Sequence, residues 1–88
     1  MKEVIDFIYD RVEGNISGTL TKAEPQGLDW VSANGSYTRK LTIVDGVIQI
    51  VHRQYLTGKK FDVLTVNLSD PMAIEKAVQA FMDMAITI

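Results

Sequence analysis

The chain contains no cysteine, which removes disulfides and thiolate metal sites at once. Stability must then come from a packed core. A single histidine cannot make a metal site on its own. No apolar run approaches the roughly 18–20 residues needed to cross a bilayer. The first residues, Met1-Lys2-Glu3-Val4-Ile5-Asp6, carry charges where a signal peptide would be apolar. These absences lead to the expectation of a soluble, cytoplasmic protein without membrane contact. Walker A, dinucleotide-binding, GxSxG, HExxH and EF-hand patterns are also missing, and no nucleophile–base pair stands out. The expectation is a protein that is not an enzyme and needs neither cofactor nor metal.

With 88 residues, 47% of them hydrophobic, the chain has material for one core and one domain spanning residues 1–88. The net charge of −2 gives no general attraction to nucleic acid, but it is unevenly spread. Residues 36–61 hold Arg39, Lys40, Arg53, Lys59 and Lys60 against Asp45, a balance of +4, while the flanks sum to −6. The middle is basic and both ends are acidic.

Hydrophobic spacing predicts a helix over 2–13, with Val4, Ile5, Ile8 and Val12 on one side and a left-handed stop at Gly14-Asn15. Residues 16–22 alternate as a half-buried strand, and Pro25, Gly27, Asn34 and Gly35 mark 23–35 as a loop or irregular edge. Within that loop Leu28, Trp30 and Val31 are expected to lie on the core. Asp45-Gly46, between β-rich runs at 37–44 and 47–56, signals a type I′ hairpin. Its register places Leu41, Ile43, Ile48 and Ile50 on one face. A further strand over 61–68 is apolar on both sides, which leaves its register open. Asp70 is expected to cap a last helix beginning at Pro71 and carrying Ile74, Ala77, Val78, Phe81 and Ala85 inward. The fold class is therefore α+β: a β-meander sheet of three to four antiparallel strands, with an N-terminal and a C-terminal helix on one face.

Three surfaces are candidates for function. The C-terminus ends on apolar residues, and Met82, Met84, Ile86 and Ile88 fall off the core stripe, forming with Met72 an adaptable patch for a protein partner or a second copy. The open face of the 37–56 hairpin carries Lys40, Arg53 and Tyr55, with Lys59 and Lys60 at its far turn. Cations with an aromatic among them suit a phosphate backbone and a stacked base. Glu3, Asp6, Asp10 and Glu13 form an acidic stripe along the first helix, the pattern of a solvated face. His52, opposite Arg39 in the hairpin register, reads as a rim residue closing the end of the core.

This order of helix, meander and helix in under ninety residues resembles certain small phage-encoded inhibitors of CRISPR effector nucleases. The resemblance covers element order and length. It implies a protein that acts by binding another protein, although those inhibitors are strongly acidic and this sheet is basic. Taken together, the sequence predicts a non-catalytic protein–protein interaction module: a small regulator, inhibitor or assembly protein, with homodimerisation through the last helix or an edge strand. The alternative is a nucleic-acid-binding protein using the basic hairpin face.

Overall fold

The computed structural model of the chain describes residues 2–23 and 27–83. The elements are α1 (Lys2–Val12), β1 (Thr19–Ala23), β2 (Gly27–Val31), β3 (Tyr37–Val44), β4 (Val47–Gln54), β5 (Lys60–Asn67) and α2 (Ala73–Met82). The strands form one antiparallel sheet in the order β1-β2-β3-β4-β5. The α+β class holds, with five strands rather than three to four.

The added strand is β2, inside the stretch expected to be a loop. Leu28 and Trp30 point inward, fully buried, while Asp29 and Val31 alternate outward. Turn residues on both sides conceal this alternation. Gly27 serves a purpose other than turning: a Cβ there would lie 2.5 Å from the Leu41 carbonyl oxygen, so only glycine allows β3 to approach so closely. Val31, expected on the core, is instead 42% exposed.

The central hairpin forms in the expected register, with Ile43 opposite Ile48 and Leu41 opposite Ile50. Asp45 and Gly46 both take positive φ, at 52° and 74°, as a type I′ turn requires. At β5 an irregularity of pairing resolves the doubly apolar pattern. Ile50 pairs with Leu64 but Val51 pairs with Asp62, so Val63 is an extra residue. This bulge shifts the parity of the strand. Phe61, opposite His52, and Leu64 and Val66, opposite Ile50 and Ile48, thereby fall on the same side of the sheet.

That side carries both helices. Ile5, Ile8 and Val12 of α1 join Ala73, Ala77, Val78 and Phe81 of α2 over Leu28, Trp30, Leu41, Ile43, Ile48 and Ile50. Gly14, at φ +81°, ends α1 as expected. Helix α2 starts later than expected. Asp70 caps a preceding turn, its Oδ1 accepting the Met72 N–H at 2.8 Å, and the helix begins at Ala73. A bidentate pair joins the helices, Arg11 donating to Glu75 at 2.7 and 3.1 Å.

Candidate functional site

Because both helices occupy one side, the other side of the sheet is uncovered. Strand alternation brings Thr38, Lys40 and Thr42 of β3 beside Gln49, Val51 and Arg53 of β4, with Lys60 of β5 opposite Arg53. These side chains line a shallow depression of about 390 Å³. The lining combines the apolar Val51 with three cations and several hydrogen-bonding groups. Lys40, Arg53 and Lys60 are all exposed. Two carboxylates share the face: Asp29 opposite Lys40 and Asp62 opposite Val51.

The remaining two residues of the expected basic site lie elsewhere. Tyr55 and Lys59 belong to the connection between β4 and β5, because β4 ends at Gln54 rather than at 56. Lys60, expected in that turn, is instead the first residue of β5. The depression is therefore lined by no aromatic ring. Tyr55 and its neighbour Leu56 stand at the tip, 70% and 86% exposed. Arg53 and Lys60, which line the depression, face each other at the end of the two strands that the tip connects.

Of the expected C-terminal patch, Met82 and Met72 fall among the described residues. Met82 is half-buried and packs against the core. Met72 is 53% exposed in the turn before α2. Met84, Ile86 and Ile88 lie outside the described residues. The acidic stripe of α1 is partly used within the molecule, since Asp6 accepts from Lys22 Nζ at 2.8 Å. The same ammonium sits 4.9 Å from the Tyr9 ring centroid.

The sequence pairs Arg39 with His52, and the structure shows what that pairing does. Both are 1% exposed, on the helix side of the sheet. The Arg39 guanidinium donates to the backbone oxygens of Ala80 at 3.1 Å, Phe81 at 2.7 Å and Asp83, at the end of α2. It thus satisfies carbonyls that a helix C-terminus leaves open, and its positive charge complements the negative end of the helix dipole. Its Nε–H donates to His52 Nδ1 at 3.1 Å. Because Nδ1 accepts, the ring proton of neutral His52 sits on Nε2, a buried atom with no hydrogen-bond partner among the described residues. Burial, and then the charge of Arg39, lower the His52 pKa. The imidazole stacks between Tyr37 and Phe61, with centroids 5.3 and 6.3 Å away. This group binds α2 to the sheet as a clamp. Among the described residues, no cluster of His, Asp or Glu is arranged to hold a metal ion. None of the described helices is long and apolar enough to cross a membrane.

Comparison with protein-family models, curated proteins and solved structures gave no match.

Proposed function

We propose that this protein is a non-catalytic interaction module, a small regulator or inhibitor that works by surface contact with another protein. The observation that carries the reading is the uncovered face of the sheet. It gathers Lys40, Arg53 and Lys60 beside Val51, at the end of the sheet from which the exposed Tyr55 and Leu56 project in the β4–β5 connection. A mixed surface of cations, hydroxyls and a few apolar side chains is what a polar, non-obligate interface uses. Paired acids and hydrogen-bonding groups on the partner would set the register.

The same three cations support the second reading, binding of single-stranded nucleic acid. Two features favour protein over nucleic acid. The depression lacks a ring on which a base could stack, and Asp29 and Asp62 place negative charge on the same face.

One experiment separates the readings. The tagged protein and its Lys40→Glu, Arg53→Glu, Lys60→Glu variant are used for capture from nuclease-treated and untreated lysate of the source cells. The interaction module predicts a discrete protein that survives nuclease and is lost with the triple variant. Material that disappears on nuclease treatment would favour nucleic acid. Equal capture by both forms would remove the open face from consideration.

A further inference from the structure

The β4–β5 tip is more ordered than an exposed connection needs to be. The Gln54 N–H donates to the Lys59 oxygen, the Gly58 N–H to the Gln54 oxygen, and the Tyr55 N–H across to the Ser36 oxygen, each at 2.9 Å. Thr57 Oγ1 donates to Gln54 Oε1 at 2.9 Å and accepts the Lys59 N–H at 3.3 Å. Gly58, at φ +70°, makes the return bend. On this braced frame Tyr55 and Leu56 are 70% and 86% exposed, more than any other large hydrophobic residue among those described.

Exposed apolar side chains lose nothing in folding if they stay mobile. Holding two of them side by side on a braced bend lowers the ordering cost of a later contact. An aromatic next to an aliphatic anchor is also the composition of an interface hot spot. Arg53, Lys59 and Lys60 flank the pair along the chain, all exposed, with Asp62 as the nearest opposing charge in sequence. We infer that Tyr55 and Leu56 are the anchor of the proposed interface and enter an apolar recess on a partner protein whose rim carries carboxylates. The inference rests on the interaction-module reading and adds to it the place of contact and the chemistry of the partner.

Charge complementarity selects this occupant. A neutral apolar recess would leave three cations desolvated without partners, which is costly. An anionic bilayer would satisfy the cations, but the chain's net charge is −2 and its acidic α1 lies across the sheet, so long-range attraction to such a surface is missing.

The test places a photo-crosslinker at one position at a time, Leu56→benzoylphenylalanine, Gln49→benzoylphenylalanine on the open face and Thr21→benzoylphenylalanine at the far strand, in lysate of the source cells. The expected result is a protein adduct from position 56, with the attached peptide mapped by mass spectrometry as apolar and flanked by Asp or Glu. Leu56→Ser and Tyr55→Ser should each weaken binding to that protein by about tenfold or more, with melting temperatures unchanged. A basic or wholly polar peptide at position 56, or an adduct to lipid, would overturn the inference. An adduct from position 49 without one from 56 would also overturn it while leaving the interaction module standing. Absence of any adduct from 49 and 56 would count against both.

Discussion

Replacing Arg39 is the perturbation with the largest calculable consequence. Its guanidinium makes four hydrogen bonds inside the protein, three to the carbonyls ending α2 and one to His52 Nδ1. It also lies 5.7 Å from the Trp30 ring. Arg39→Met keeps most of the volume and removes every donor. Each stranded buried acceptor costs about 1–3 kcal/mol; two of the four bonds are buried and two part-buried, so roughly 4–12 kcal/mol is an upper bound that holds only if nothing relaxed. Two effects reduce this. Removing a buried cation recovers several kcal/mol of desolvation, and the Asp83 end of α2 is exposed enough for water to replace one bond. A net loss of about 3 kcal/mol is expected, against a total stability of roughly 4–13 kcal/mol for a domain of this size. The melting temperature should fall by on the order of 10–20 °C. Trp30, the only tryptophan, is buried beside the guanidinium and reports urea unfolding by fluorescence. A loss below about 1 kcal/mol would show that the carbonyls at the end of α2 are not held by this side chain.

Three further outcomes follow from the same structure. Because burial and Arg39 lower its pKa, His52 binds a proton less readily folded than unfolded. Its contribution to stability is complete above about pH 6.5 and is lost as pH falls below that value, by up to about 1.4 kcal/mol per pH unit. Denaturation between pH 7 and 5 checks this, and His52→Asn should flatten the dependence; equal slopes in both proteins would assign it to other groups. Gly18→Ala should destabilise far more than Gly46→Ala. Both positions have positive φ, but a Cβ at Gly18 would meet the Val31 oxygen at 2.2 Å, whereas one at Gly46 meets nothing within 4 Å. Urea midpoints should show about 1–2 kcal/mol for Gly46→Ala and a clearly larger loss for Gly18→Ala; equal losses would contradict the close approach. Lys40→Ala and Arg53→Ala should each leave stability within about 0.5 kcal/mol while reducing capture of the partner.

Much of this fold is legible in the residues, for reasons that can be named. Asp45-Gly46 fixed the hairpin because positive φ at two successive residues admits few sequences, and a two-residue turn leaves one register. Helix α1 was legible from its 3.6-residue period and its glycine stop. The parts that were concealed involve residues whose role depends on a neighbour. Gly27 reads as a turn until β3 is seen lying too close for any side chain. Val63 reads as evidence for a second apolar face until the bulge turns its strand. Asp70-Pro71 reads as a helix start, yet it caps the turn before the helix. The candidate surface was legible in part. Alternation placed Lys40 and Arg53 together, and Lys60 joined them through a pairing that the sequence left open. Tyr55 falls in the β4–β5 connection because the strand ends at Gln54, two residues before the expected end. The clamp role of Arg39 was invisible, since no local pattern says that a strand arginine will meet the end of a helix dozens of residues away.

The central claim is that the protein works through the open sheet face and its tip. Hydrogen exchange by mass spectrometry, on the protein alone and bound to its captured partner, tests it most directly. The account predicts slowed exchange in peptides covering 37–42 and 49–62, with 2–12 and 73–82 unchanged. Slowed exchange confined to the helices, with the 49–62 region unaltered, would contradict it.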